Sequence, residues 1–383
     1  MKNKIKYIII TPFFPSVNNH VGSYIYDQAR AIDNCNKYEV EIIKLINLNS
    51  YESNYVFNGI NVYTFKLFDF PFFIFPGIFS FINNSRFKSF FRKNFNINKE
   101  ECIVHSHVCY PAVYLANSIS NIYNTIIIAQ HHGLDVLQLS NCRFYFFRKF
   151  YSNFLIYKSI NELNKVDHNV FVSKKVRDTL LAYENYKSKN NFILYNGVDR
   201  TKFFKKDKIK NNDLYIIGCI ANFWKIKDHI SLIIAIEMLV NEGFKDIRLI
   251  LIGKGETLLT CKQYVIDKNL SKYISFENER PHHELNKFYN QIDLFVLPSY
   301  YEALGCVLLE AWATETVILS VKNQGASEII PENEHHNLLV DEQSPISLKG
   351  KIINEYNKRR KFKFDQKYDI NNTVKEFLDY IAN

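Results

Sequence analysis

The chain is 383 residues long, with 47% hydrophobic and 23% charged residues, a globular composition that excludes a disordered or fibrous protein. That length exceeds what one hydrophobic core serves comfortably, so two domains of similar size are expected. The formal net charge of +9 suits an anionic membrane or a phosphorylated ligand. Nucleic acid is disfavoured, because the longest basic runs, KKDKIK (205–210) and NKRRKFKF (357–364), have no nucleic-acid motif around them.

The chain opens with MKNK leading straight into KYIIITP, a strand rather than a signal peptide. VGSYIYDQARAI (21–32) follows as the first helix. YEVEIIKL and INVYTF are strands, and FPFFIFPGIFSFI (70–82) is too short to span a membrane and is broken by Pro71, Pro76 and Gly77. CIVHSH is a strand, PAVYLANSISNIY (111–123) a helix, and NTIIIAQHH and HNVFVSK two further strands. Seven single cysteines, Cys35, Cys102, Cys109, Cys142, Cys219, Cys261 and Cys306, form no CxxC pair and indicate neither a disulfide framework nor a zinc site. A cytoplasmic location is expected, with the chain peripheral on the inner membrane face.

A second series starts after YNGVDRTKF (195–203), where Asn, Asp and Lys crowd a linker near 196–212. LYIIGCI, IRLILIG, YISFE, LFVLPS and TVILSV are its strands, with SLIIAIEMLVNEG, ELNKFYNQI and a helix opening near Glu302 between them. Several strands are apolar on both faces, as in parallel sheets covered by helices. Two doubly wound α/β domains are predicted, 1–198 and 199–365, with 366–383 a helix packing back on the first. Ligands of such sheets sit beyond the carboxyl ends of the strands, here in a central cleft between the two domains.

The chemistry-bearing residues of the second series gather at strand ends. FVLPS ends at Pro298, and Tyr300, Tyr301 and Glu302 lead into a helix whose first amides, Ala303 to Cys306, suit a phosphate. Glu310 in YEALGCVLLE (301–310) lies about 12 Å along the helix from Glu302 at ~1.5 Å per residue. One carboxylate can then meet a sugar and the other a ribose. A helix-terminal Glu302 and an ordinary ion pair at Glu310 explain the two carboxylates equally well. LILIGKGE (249–256) is a strand and a glycine turn, IANFWKIKDH (220–229) puts Lys227 beyond another strand end, and QGASEII (324–330) is a further strand-end loop.

At this point the chain resembles the retaining glycosyltransferases of family 4, which have the GT-B fold. EALGCVLLE is similar to their E-x7-E element, and TPFFP…GSYIYDQARAI, HSH, HHGLD, VFVSK, YNGVD, GKGE, LPSYYEALG and GASEII extend the resemblance over nearly the whole chain. It implies that Glu302 contacts the hydroxyls of the transferred sugar and Glu310 the ribose. It also implies that the amides of Leu304, Gly305 and Cys306, with Lys227, hold the donor diphosphate. His132 would face the donor sugar, and Gly22 would lie near donor phosphates and acceptor. His131, on the opposite strand face, reads as structural, and His105 and His107 as floor or core residues rather than metal ligands. No Asp-x-Asp occurs, which agrees with a metal-independent enzyme that takes a nucleotide-diphosphate sugar as substrate and needs no cofactor.

The chain departs from the family in three places. Asn222 stands where the family has arginine; it can donate a hydrogen bond to a donor phosphate but brings no charge, which leaves Lys225 to compensate. Glu315 and Asn278 replace glycines, and Asn278 tolerates a left-handed backbone. The acceptor side would be the first domain, where FDFPFFIFPGIFSFINNSRFKSFFRKNF (68–95) and CRFYFFRKFY (142–151) mix Phe with Arg and Lys. Such stretches suit anionic lipid headgroups, and equally a core with solvated basic residues. A lipid-linked or polysaccharide acceptor follows from the first reading. A sugar-nucleotide epimerase of the same fold and a catalytically idle scaffold subunit are the alternatives.

Overall fold

A computed structural model describes residues 4–17, 19–69, 76–95, 102–133, 148–188, 190–206 and 214–382. The chain divides into two compact units, residues 1–195 with 373–383, and residues 196–372.

The first unit is built on β1 (Ile5–Thr11), α1 (Ser23–Asp33), β2 (Tyr38–Asn47), β3 (Tyr55–Phe57), β4 (Ile60–Leu67), α2 (Ser80–Asn94), β5 (Cys102–His107), α3 (Tyr114–Ser120), β6 (Thr125–His131), α4 (Arg148–Leu163), β7 (His168–Phe171), α5 (Lys174–Leu181) and β8 (Asn191–Ile193). Its sheet has the order β3-β4-β2-β1-β5-β6-β7-β8. All pairings are parallel except β3 against β4. β5 is buried at every position, its polar His105, Ser106 and His107 included, as expected of a central strand covered by helices on both sides. The order turns around at β1, whose chain continues to β2 on one side while β5 lies on the other. The crevice at the carboxyl ends of β1 and β5 is therefore the switch point where ligands bind in such sheets.

The second unit runs β9 (Tyr215–Ile220), α6 (His229–Asn241), β10 (Ile247–Ile252), α7 (Leu258–Asp267), β11 (Ile274–Glu277), α8 (Leu285–Gln291), β12 (Leu294–Leu297), α9 (Cys306–Ala313), β13 (Val317–Val321), β14 (Leu339–Val340) and α10 (Pro345–Lys358). Its six strands are all parallel, in the order β11-β10-β9-β12-β13-β14, which is the 3-2-1-4-5-6 arrangement of a dinucleotide-binding fold. Here the switch point lies between β9 and β12. The last helix, α11 (Ile370–Ile381), carries Phe377 and Tyr380 against His105 and Phe192 of the first unit, at 5.5 and 4.4 Å between ring centroids.

Of the described phenylalanines in 68–95, Phe87, Phe91 and Phe95 are 0%, 0% and 4% exposed, while Phe68 and Phe81, at 38% and 85%, face solvent, so the stretch holds both core and surface residues. One expectation needs correcting. The helix near Glu302 starts only at Cys306, so Glu302 is not on it and the 12 Å helical spacing to Glu310 does not apply. Residues 70–75 and 142–147 of the two Phe-rich stretches lie outside the described residues.

Candidate functional site

At the second unit's switch point, β9 ends at Ile220 and the chain turns through Asn222 and Trp224 into a single tight turn, Lys225–Lys227. This loop is held from two sides. Tyr300 beyond β12 donates its N–H to the Ile226 carbonyl at 3.0 Å, and Phe223 bonds the Lys254 carbonyl at 2.8 Å. The GKGE turn after β10 makes the second contact possible. Gly253 adopts φ 147°, and a Cβ there would lie 2.1 Å from the Ala221 carbonyl oxygen, so only glycine allows the two loops this close. Asn222 and Lys225 are exposed.

Lys227 reaches across the switch point. Its Nζ is 2.6 Å from Glu302 Oε2, and the two side chains are only 18% and 13% exposed. The backbone of Glu302 is fixed as well: its N–H donates to Gln324 Oε1 at 3.2 Å, and its carbonyl accepts from Gly325 N–H at 2.9 Å. A lysine ammonium has three donors, so pairing with Glu302 leaves Lys227 able to bond a phosphate oxygen too.

From Glu302 the chain passes Leu304, which is buried, to Gly305, whose φ of 79° caps α9. Cys306 opens the helix, and its sulfur accepts from Asn196 Nδ2 at 3.2 Å. A turn further on, Glu310 is 9% exposed with both oxygens engaged: His282 Nε2 at 3.0 Å and Tyr289 Oη at 2.8 Å. Burial, with Glu310's charge adding, pushes the Tyr289 phenol well above its ordinary value, so it stays a donor. Each Glu310 oxygen keeps a second lone pair for a further donor. His282, Tyr289 and Gln324 were not singled out in the sequence. His282 sits in a polar HHEL run that reads as loop, and only its approach to Glu310 reveals it.

In the first unit, β5 ends at His107 and His132 follows β6 directly. His107 Nδ1 and His132 Nε2 are 2.8 Å apart, and His105 stacks on His107 with centroids 4.6 Å apart. His105 and His107 are fully buried, and burial drives the His105 imidazole down to about 3 and His107 well below its ordinary value. His131 points away, buried, toward Asn169 Oδ1 at 3.1 Å. Tyr24 of α1 lies 5.1 Å from the His132 ring. Gly22 caps α1 at φ 88°, where a Cβ would meet the Phe13 carbonyl oxygen at 2.5 Å. Among the described residues, no three His, Cys, Asp or Glu side chains are grouped as a metal ion would require.

Two family models together span nearly the whole chain. One described as "Glycosyltransferase Family 4" matches residues 21–202, and one described as "Glycosyl transferases group 1" matches 199–372. The chain belongs to the family 4 glycosyltransferases. Among curated relatives, the O-antigen chain mannosyltransferase RfbU of Salmonella typhimurium is 26% identical over 49% of this chain and 53% of its own length. The capsular polysaccharide biosynthesis glycosyltransferase CapM of Staphylococcus aureus is 29% identical over 42% of this chain and 43% of its own. The chain spans about half the length of the curated relatives it matches. Among solved structures, Anabaena HepE in complex with UDP covers 99% of this chain and 100% of its own at 13% identity, with a TM-score of 0.74. The sucrose-phosphate synthase of Thermosynechococcus elongatus covers 99% and 95% at 16% identity, with a TM-score of 0.73. The fold of this glycosyltransferase is therefore GT-B, with two Rossmann-like units. Among its described residues no helix is long and apolar enough to cross a membrane.

Proposed function

We propose that the chain transfers a sugar, with retention of anomeric configuration, from a nucleotide-diphosphate sugar to a lipid-linked or polysaccharide acceptor in the assembly of a bacterial surface glycan. The observation that carries this is the Lys227–Glu302 pair at the switch point of a dinucleotide-type sheet, with Glu310 in the second turn of the next helix. Glu302 orients the hydroxyls of the sugar, and Glu310 accepts from the ribose. Lys227 and the amides of Leu304, Gly305 and Cys306 balance the departing diphosphate. A UDP-sugar is favoured, since HepE shares the fold and was crystallised with UDP.

In the reaction the bond between the anomeric carbon and the diphosphate oxygen breaks. The acceptor oxygen bonds the anomeric carbon on the same face, and the acceptor proton passes to the leaving phosphate oxygen. No enzyme nucleophile and no metal ion is invoked. Preorganised donors aimed at charge that develops on the leaving group lower the barrier without reorganisation. The first unit is proposed to rest on anionic lipid through α2, which carries exposed Phe81 and Ile82 in its first turn and exposed Arg86, Arg92 and Lys93 further along.

The test is an incubation of the protein with a panel of nucleotide sugars, with and without a polyprenyl-diphosphate saccharide presented in anionic liposomes. Transfer of one sugar in the α-linkage of an α-linked donor, without added divalent cation, is the expected result. Epimerisation of a nucleotide sugar in the absence of acceptor would replace the transferase reading with the epimerase one. Absence of binding to anionic liposomes at low salt would remove the membrane contact.

A further inference from the structure

We propose that His107 is a positioning residue: it donates its Nδ1–H to His132 Nε2 and so holds His132 as the neutral tautomer with its proton on Nδ1. His132 then meets the sugar or the acceptor as a hydrogen-bond donor, not as a base or a cation. What His132 touches rests on the transferase reading above; the direction of the hydrogen bond does not.

The geometry of the pair comes first. The two rings are inclined by only 10°, with centroids 5.1 Å apart and nitrogens 2.8 Å apart. The centroid separation matches the N–N distance plus the two ring radii. The rings therefore lie edge to edge in one plane, and the hydrogen bond is straight, the arrangement that fixes orientation best.

Burial then gives the bond its direction. His107 is fully enclosed and neutral, so it carries one N–H. Among the described residues its Nε2 has no hydrogen-bond partner. Were the proton on that Nε2, a buried donor would be left unpaired, the costlier of the two ways to leave a group unsatisfied. With the proton on Nδ1, the donor is used and only a lone pair is left over. His132 must then accept at Nε2, and a neutral imidazole that accepts at one nitrogen is protonated at the other.

The surroundings hold His107 in place. His105 stacks on it from the same strand face, and Tyr7 Oη anchors His105 Nδ1 at 2.7 Å. Val108, the next residue, takes φ 75°, unusual for a β-branched residue, while its N–H bonds the Gln130 carbonyl at 3.0 Å. Strain of this kind persists where the surrounding structure over-determines the backbone, and it clusters at functional positions.

The decisive experiment is a long-range 1H–15N spectrum of the wild-type protein labelled with 15N-histidine, with the His132 signals assigned by their loss in His132→Gln. A protonated Nδ1 and an unprotonated Nε2 at pH 7 are expected. An Nε2–H tautomer or an imidazolium would overturn the proposal. Kinetics supply the second readout. His107→Phe keeps the ring but not the donor, and kcat should fall about 10- to 100-fold, as when a residue that fixes a histidine tautomer is removed, with little change in the donor KM. His107→Asn places an amide donor where Nδ1 was and should recover most of that loss; equal losses in both variants would overturn the proposal. If the wild type transfers no sugar at all, the transferase reading falls, and the spectrum still decides the hydrogen bond.

Discussion

The two switch points differ in how they handle charge. In the second unit, β9 and β12 present a lysine and a glutamate that are ion-paired and part-exposed, with a second carboxylate held behind them by Tyr289 and His282. In the first unit, β5 presents two histidines, His105 and His107, that burial strips of charge. The first arrangement suits a ligand that brings its own charge, as a diphosphate does. The second suits hydroxyl groups, which neither need nor tolerate a full charge in a dry pocket. One fold used twice is thus specialised by residue type at the same place in the topology.

Removing charge from the second unit should cost the most. Lys227→Ala should lower kcat about 100- to 1000-fold, the usual loss when a preorganised group at a developing negative charge is removed. Some loss of thermal stability should accompany it, since the largely buried Glu302 is left without its partner. A steady-state assay beside a melting curve checks both, and a large drop in Tm with unchanged kcat would make the pair merely structural. The loop that carries Lys227 can be broken without touching its charge. Gly253→Ala places a Cβ against the Ala221 carbonyl at a φ that alanine avoids, and should destabilise the protein by about 1–3 kcal/mol, measurable by urea unfolding.

The buried histidines make the opposite prediction, one in which charge is harmful. His105 and His107 titrate lower in the folded chain than in the unfolded one. Below the unfolded value near 6.5 and above the lowered folded values, about 3 for His105, the unfolded chain binds more protons. Stability from these two groups is therefore complete above about pH 6.5 and is lost as pH falls, by about 2.7 kcal/mol per pH unit once both are engaged. His107→Asn should remove about half of that slope, which denaturant titrations from pH 7 to pH 5 would measure. The smallest effect lies just past the end of α9. Glu315 adopts φ 59° after α9, so Glu315→Gly should stabilise by up to about 1 kcal/mol, reduced by the loss of its ion pair with Lys205 at 2.7 Å.

Much of this was legible in the sequence, because strands buried on both faces write uninterrupted apolar runs. KYIIITP and LFVLPS appear as central strands for that reason, while CIVHSH is central although His105, Ser106 and His107 interrupt its apolar run. The strand-end motifs placed Lys227 and Glu302 at one sheet end without showing that they touch, since their contact spans 75 positions. Local backbone geometry was harder. Glu302 was read as helical because YEALGCVLLE has helical spacing, yet the left-handed Gly305 delays the helix to Cys306. Asn278, which tolerates a left-handed backbone, does not use one, while Glu315, the other residue in a glycine position, does. The phenylalanines of α2 could not be sorted into core and surface by composition, because helical phase and packing against Phe65 and Tyr123 decide it. His282 and Tyr289 carry no sequence signal; they matter only through Glu310.

The central claim is that the second unit binds a nucleotide-diphosphate sugar through Glu310 and its neighbours, and calorimetric titration of UDP- and GDP-sugars into wild type and Glu310→Ala tests it most directly. One nucleotide sugar should bind the wild type, and Glu310→Ala should weaken it at least tenfold, the loss of hydrogen bonds to a charged acceptor. Folded wild-type protein that binds none of the panel, or a variant that binds as tightly as wild type, would contradict the account.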